Sequence, residues 1–373
     1  MKKMSSLYIH IPFCHHKCIY CAFYSVAQKV DKDFYVDCLV KELQKRKDFI
    51  ANSLQTIYFG GGTPSLLSIR QTEKILENIE KIYNIYNVEE TTFEINAENA
   101  DEDYLKSLKS LGINRLSIGI ESFDDEDLRF LNRSHNSFQA KAAIENAFKA
   151  GFDNISVDLI SNLPFSSFEK WKKNLQTAVN YDIKHISCYT LMIEEGTMLE
   201  KMIQKGKYSL ISEKRALEEF DFTMEFLDKY DFQHYETSSY AKDGYQSKHN
   251  MAYWTFQSYL GLGAAAHSYN GRVRMWNESD VLSYMQRIAN DDFMEYPKQE
   301  TLSLSDCYEE YIMLSARMNK GLNKQYVKDN FPTFFEDFER KCEKMISQNY
   351  LNTDLSLTQK GWHLQDTLIL NLV

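Results

Sequence analysis

The chain has 373 residues, 43 Lys and Arg against 53 Asp and Glu for a formal net charge of -10, 43% hydrophobic residues and 7 cysteines. That length and apolar fraction exclude a disordered chain and a single small domain, and predict one large domain with an appendage. The acidic balance excludes a general nucleic-acid binder, which needs a surplus of Lys and Arg on one face to neutralise phosphates. Taken in chain order, Met1 to Pro12 carries two lysines, but its apolar stretch Leu7 to Phe13 is broken by His10 and followed by His15-His16-Lys17. That is not a signal peptide, and no run of about eighteen apolar residues follows that would span a bilayer. The expectation is a cytoplasmic protein with reduced thiols, in which membrane contact is peripheral.

Short β-rich runs then alternate with helical periodicity. Strands are predicted at Leu7 to Ile11, Thr56 to Phe59, Thr91 to Ile95, Arg115 to Ile120, Asn154 to Ile160 and His185 to Tyr189. Helices are predicted between them at Lys32 to Lys47, Ile69 to Tyr83, Asp101 to Leu111, Ser137 to Ala150 and Phe168 to Tyr181. Six β/α units in succession predict an α/β fold with a parallel sheet, and the loss of regularity after Tyr189 favours an open partial (β/α)6 barrel over a closed eight-unit one. A helix at Glu213 to Tyr230, a polar aromatic stretch at Gln233 to Tyr245 and a Gly-rich run at Leu260 to Ala266 come next. From about Glu300 the composition turns helical and charged, which predicts a small, mainly helical C-terminal domain. The expected division is 1–240 for the barrel, 241–298 for a connecting region and 299–373 for the C-terminal domain, with the boundary near Tyr296 to Leu302.

Cys14, Cys18 and Cys21 form C-x3-C-x2-C directly after the first strand. Three thiolates are the usual protein ligands for three irons of a [4Fe-4S] cube, which leaves the fourth iron open to an outside ligand. Zinc completed by His10, His15 or His16 is one competitor, and three core cysteines on one helix face are another. The single C-x2-C unit speaks against zinc, and Pro12 with the polar His15-His16-Lys17 insert speaks against the helix face. Cys38, Cys188, Cys307 and Cys342 are scattered and read as structural. The triplet in this position resembles the radical SAM superfamily, whose open iron chelates the amino and carboxylate groups of S-adenosylmethionine.

Chemistry in parallel β/α folds gathers at the C-terminal strand ends. Gly60-Gly61-Gly62-Thr63-Pro64 follows the second strand; it matches neither a Walker loop nor a dinucleotide fingerprint, and alone it reads equally well as a tight turn. Glu94 and Glu121 end the third and fourth strands, Asp158 lies in the fifth, and Arg133 follows Glu121 by twelve residues. Any one of these acids could be a solvated strand end. Together they suit a ligand with an ammonium, a carboxylate and a ribose, the fork of an Arg matching the carboxylate. The superfamily resemblance implies that Gly61, Gly62 and Thr63 meet the methionine part of S-adenosylmethionine, Glu94 its ammonium, Arg133 its carboxylate, and Glu121 and Asp158 the ribose, with Tyr8 and Tyr20 also at the cofactor. Relatives often carry Gln where Glu121 stands, so this contact loses an amide donor.

The wider text, Tyr8-Ile-His-Ile-Pro-Phe-Cys, Asn114-Arg115-Leu116-Ser117-Ile118-Gly119, Asp158-Leu159-Ile160 with Leu163-Pro164, and Gly261-Leu262-Gly263 before Ala266-His267-Ser268-Tyr269, resembles the oxygen-independent coproporphyrinogen oxidase family over nearly the whole chain. Those oxidases extend the triplet to C-x3-C-x2-C-x-C, whereas this chain has Phe23 at the position of the further cysteine. His249-Asn250-Met251-Ala252-Tyr253-Trp254 is similar to the HNxxYW motif of the HemW group of heme chaperones. That resemblance implies a [4Fe-4S] cluster, S-adenosylmethionine and heme as cargo, recipient hemoproteins with membrane-bound respiratory enzymes among them, a homodimer as the candidate assembly, and no coproporphyrinogen dehydrogenase activity. A neutral imidazole is a good iron ligand and Tyr253 and Trp254 offer flat apolar faces, so His249 is the candidate heme ligand, with His267 a second; the alternative is that His249 hydrogen-bonds a loop and the aromatics fill core. Radical decarboxylation of coproporphyrinogen III, or radical chemistry on another small molecule, are the competing activities. One further departure is Ser161-Asn162 where relatives have Tyr-Gly; Asn tolerates the left-handed conformation, so the turn is expected to survive.

Overall fold

The computed structural model describes residues 5–292 and 297–373. Strand β1 (Ser5–Ile11) alternates: Leu7, Ile9 and Ile11 bury fully in the main core, and Tyr8 and His10 therefore face the other way. There follow α1 (Lys32–Arg46), β2 (Leu54–Gly61), α2 (Ile69–Ile82), β3 (Glu90–Asn96), α3 (Glu102–Ser110), β4 (Arg115–Glu121), α4 (Asp125–Phe130), α5 (Ser137–Lys149), β5 (Asn154–Ser161), α6 (Phe168–Val179) and β6 (His185–Thr190). The six strands pair side by side in chain order, all parallel, as the alternating pattern predicts. Helix starts are set locally: Asp31, Ser68, Asp101, Asn136 and Ser167 each accept a backbone N–H in the first turn, with full capping boxes at Ser68 and Asn136. All of these loops deliver the next strand in the same direction, so the C-terminal strand ends collect on one side.

The sheet continues beyond six strands. After α7 (Met198–Gln204) and α8 (Glu213–Asp228) come β7 (Gln233–Glu236) and β8 (Ser239–Ala241), of which β8 pairs antiparallel with β6 and β7 antiparallel with β8. Helix α9 (Lys248–Trp254) leads to β9 (Tyr259–Leu262), which pairs parallel with the far side of β1, and then β10 (His267–Tyr269), β11 (Val273–Trp276), α10 (Val281–Ala289) and β12 (Lys298–Thr301) extend that edge. The order is β12-β11-β10-β9-β1-β2-β3-β4-β5-β6-β8-β7. Residues 241–298, expected to connect two domains, thus supply strands to the main sheet, and Val281, Tyr284, Met285 and Ile288 of α10 join the main core. These strands are three or four residues long, too short for an alternation signal. Gly261 has a packing reason: a Cβ there would lie 2.1 Å from the carbonyl oxygen of His267.

Helices α11 (Leu304–Ser315), α12 (Lys324–Asn330), α13 (Phe335–Ser347), α14 (Gln359–His363) and α15 (Gln365–Leu372) enclose a second core built on Tyr308, Ile312, Phe338 and Leu372. Tyr296, at the start of the expected boundary, lies outside the described residues, and β12 still belongs to the sheet, so the helical unit begins with α11. No helix among the described residues is long and apolar enough to cross a membrane.

Candidate functional site

The cysteine loop leaves β1 at Pro12 and is pinned to its return segment: Cys14 N–H donates to Val26 O at 3.0 Å and Val26 N–H to Pro12 O at 2.7 Å. Ile19 and Tyr20 pack on a small apolar cluster of Leu131, Ile160, Leu163, Leu191 and Leu199, which fixes the middle of the loop. The three cysteines line a cavity of about 420 Å³ at the C-terminal strand ends, together with Tyr20, Gly61, Gly62, Thr63, Glu94, Glu121, Arg133 and Asp158. Eight positions lying up to 144 residues beyond Cys14 therefore meet at one mouth with the cysteines.

Gly61 has φ +115, and a Cβ there would meet the His10 ring at 2.6 Å; one on Gly62 would meet Phe13 O at 2.7 Å and Cys14 Sγ at 3.1 Å. The glycines are thus required for the loop after β2 to press against the cysteine loop, and the tight-turn reading and the binding reading describe the same feature. Thr63 Oγ1 donates to Cys14 Sγ at 3.5 Å. Glu94 Oε1 accepts from the Tyr58 hydroxyl at 2.7 Å and Oε2 from Gly61 N–H at 3.1 Å, and burial pushes its carboxyl up to about 7. Arg133 donates through Nη2 to Gly119 O at 2.9 Å and Asn96 Oδ1 at 3.1 Å, and its Nη1 lies 3.6 Å from both Cys18 Sγ and Glu121 Oε1. Glu121 sits after a register shift in β4 with φ 62, a left-handed conformation that costs a non-glycine residue on the order of 1 kcal/mol. Asp158 accepts from Ser117 Oγ at 3.0 Å and Ser156 Oγ at 3.4 Å. Burial raises the carboxyls of Glu121 and Asp158 and the thiols of Cys18 and Cys21, and the nearby cysteines push those thiols further up.

These groups fit a metal cluster with a cationic organic ligand. Thiolates accept from the Thr63 hydroxyl and the Arg133 guanidinium, both already aimed at sulfur. The Nε of Arg133 is buried without a partner, an open donor in a pocket otherwise rich in carboxylates. Three buried carboxyls with raised affinity for protons are stabilised by a bound ammonium or sulfonium. Single-ion binding fits less well: both ring nitrogens of His10 are engaged, by Tyr8 Oη and Tyr24 O at 3.0 Å each, and His16 Nε2 donates to Asn132 O at 2.8 Å. Among the described residues no three His, Cys, Asp or Glu side chains are grouped to hold one metal ion.

The radical SAM superfamily model matches residues 8–178. The heme chaperone HemW of Lactococcus lactis is 32% identical over 98% of this chain and 96% of its own length. The chain belongs to the HemW family. HemW of Bacillus subtilis is 33% identical, covering 91% of this chain and 92% of its own. Among solved structures, coproporphyrinogen III oxidase from Escherichia coli, described as a radical SAM enzyme, superposes with a TM-score of 0.84 over 100% of this chain and 90% of its own, at 22% identity, which establishes the shared fold. As a radical SAM protein, the HemW-family chain takes a [4Fe-4S] cluster and S-adenosylmethionine as cofactors.

In this HemW-family chain Tyr8, expected at the cofactor, and His249, expected as a heme ligand away from the mouth, both lie outside it. Tyr8 does not line the mouth; it lines a second cavity and hydrogen-bonds His10. His249 is 1% exposed, lines neither cavity, and sits against the N-terminal ends of the strands, with Nδ1 2.7 Å from Thr56 Oγ1 and Nε2 2.9 Å from the Tyr253 hydroxyl. Its ring stacks on Tyr58 at 4.8 Å, and burial pushes its pKa down to about 3. Arranged so, it presents no nitrogen to a metal, which is the loop-and-core alternative. Asn96, which orients Arg133, escaped sequence reasoning because an Asn in a strand carries no motif, and Ser117, which orients Asp158, stood in the quoted Asn114 to Gly119 text without a role. Asn162 has φ 64, as its place in the Leu163-Pro164 turn requires.

Proposed function

We propose that the protein is a heme chaperone, binding heme and passing it to hemoproteins. The observation that carries this reading is the end-to-end match to heme chaperones named HemW, 96% of the Lactococcus lactis protein's length included. Phe23, where the resembling oxidases carry a further cysteine, supports it. In this reading Cys14, Cys18 and Cys21 hold the cluster, Glu94 takes the ammonium of S-adenosylmethionine, Arg133 its carboxylate, and Glu121 and Asp158 the ribose hydroxyls, with Gly61, Gly62, Thr63 and Tyr20 as walls. A cluster held by these three thiolates would supply reducing chemistry at the sulfonium of the cofactor. The chain's own part is orientation: Asn96 and Gly119 hold the guanidinium fork, and Tyr58 and Gly61 hold Glu94. Seven free cysteines support action from the reducing cytoplasm, and membrane-bound respiratory enzymes, met at the membrane periphery, are the recipients we favour, with a homodimer as the working assembly.

The test is to reconstitute the cluster anaerobically, supply S-adenosylmethionine, and run two assays on one preparation. The expected result is hemin binding without conversion of coproporphyrinogen III. Conversion to protoporphyrinogen with no hemin binding would replace this reading by the dehydrogenase.

A further inference from the structure

The second cavity, about 450 Å³, opens on the edge of the barrel that six strands leave unclosed, between β1, β9 and β10 on one side and α11 on the other. Its size is that of a small-molecule pocket. The walls are aromatic: Tyr253 meets Tyr259 edge-on at 4.6 Å, and Phe256 lies 4.8 Å from Tyr269. Such walls suit a flat, apolar ring system.

The polar groups of this cleft are few and incompletely used. The Tyr269 hydroxyl is buried without a hydrogen-bond partner, on a side chain that is 2% exposed, and so is the Nε of Arg274. A buried donor left without an acceptor costs on the order of 1–3 kcal/mol, so a ligand that brings acceptors into the cleft is favoured there. Arg274 gives Nη2 to Glu310 at 2.7 Å and keeps its remaining N–H groups for a second anion. Two imidazoles line the cleft. His10 has both nitrogens engaged; the exposed His267 ring makes no side-chain hydrogen bond among the described residues and lies over Trp276 at 6.2 Å, 20° from parallel. Burial, then the Arg274 charge, lowers its pKa, which favours the neutral ring that binds iron. Phe23 is 73% exposed and lines this cleft and the cluster mouth alike, so the two cavities meet at its ring.

We propose that heme is carried in this cleft, its iron on His267, its macrocycle against the Tyr253, Phe256, Tyr259 and Tyr269 rings and a propionate at Arg274, with Phe23 between the porphyrin and the cluster mouth. The His249 motif then acts at one remove: His249 holds the Tyr253 hydroxyl, and Tyr253 is part of the wall. This inference rests on the heme-chaperone reading and gives it a location.

The test uses the full-length, cluster-loaded protein and hemin, followed by difference absorbance in the Soret region and by the electron paramagnetic resonance of ferric heme. His267→Ala is expected to weaken hemin binding by about tenfold or more, equivalent to about 1.4 kcal/mol, and to remove the nitrogen-ligand signature, which added imidazole restores. Phe23→Ala, at an exposed position, and Arg274→Gln are expected to speed hemin release without changing that signature. If the wild type binds hemin and His267→Ala keeps both affinity and signature, the cleft assignment is overturned while the chaperone reading stands. Absence of hemin binding by the wild type removes both. Should His267→Ala not fold, unchanged release from Phe23→Ala and Arg274→Gln overturns the assignment equally.

Discussion

Glu94→Gln separates the stability of the fold from the work of the mouth. Burial raises the Glu94 carboxyl from 4.5 to about 7. The folded chain therefore holds that proton more tightly than the unfolded one. Below pH 4.5 both states are protonated and the shift has no effect. Between 4.5 and 7 the unfolded state is ionised and the folded state is not, so stability falls by about 1.4 kcal/mol per pH unit as pH rises. Above 7 the loss levels off at roughly 3 kcal/mol. Glutamine removes this dependence; its Oε1 still accepts from Gly61 N–H while its N–H group donates to the Tyr58 oxygen, so the Tyr58 hydroxyl loses its acceptor, a change costing on the order of 1 kcal/mol at every pH. Denaturant unfolding of the anaerobic apoprotein at pH 5 and pH 8 should then show the variant gaining about 3 kcal/mol relative to wild type across that interval. Equilibrium dialysis of S-adenosylmethionine should show wild-type affinity falling about tenfold per unit below pH 7, because the ammonium needs the ionised carboxylate, and a weak, pH-independent affinity in the variant. Parallel stability curves for the two proteins, or an equal pH slope in their cofactor binding, would refute the reasoning.

Three further outcomes follow from the same geometry. Arg133→Lys loses the fork that spans Gly119 O and Asn96 Oδ1, so cofactor affinity should drop about tenfold while iron and sulfide content stay at the wild-type level; unchanged affinity would show that the carboxylate is held elsewhere. Gly261→Ala drives a methyl into the His267 carbonyl, so denaturant unfolding should report a loss of about 2 kcal/mol and hemin titration a weaker complex, and a neutral effect on both would contradict the close approach of β9 and β10. Asn162→Gly relieves a left-handed φ of 64 and removes a buried amide oxygen without a partner, so the unfolding free energy should rise by about 1 kcal/mol with cofactor binding unaffected.

The parallel half of the fold was legible because β1 to β6 are six to eight residues long and alternate with amphipathic, well-capped helices. The edge strands β9 to β12 were not, since three or four residues show no period and take their place only from pairing with β1 and with one another. The mouth was legible for a similar reason: Cys14, Cys18, Cys21, the Gly60 to Pro64 run, Glu94, Glu121 and Asp158 all stand at or near strand ends, where direction along the chain already says which side a residue meets. Tyr8 and His249 fail that logic. Tyr8 lies mid-strand on an inner face that also borders the second cavity, and His249 belongs to the opposite end of the barrel, where a buried imidazole is held by Thr56 and Tyr253. A motif in the text carries no statement of which way its histidine points. The aromatic cleft was invisible because Tyr8, Tyr253, Tyr259, Tyr269 and Met313 are brought together only by the pairing of β9 with β1 and the seat of α11.

Transfer tests the central claim most directly. Heme-loaded, cluster-containing protein is mixed with an excess of an apo-hemoprotein, and the recipient's own absorbance spectrum is followed after the two are separated. A chaperone delivers its heme to the recipient and is recovered heme-free. Heme that stays with the protein, or a preparation that converts coproporphyrinogen III instead of carrying heme, contradicts the account.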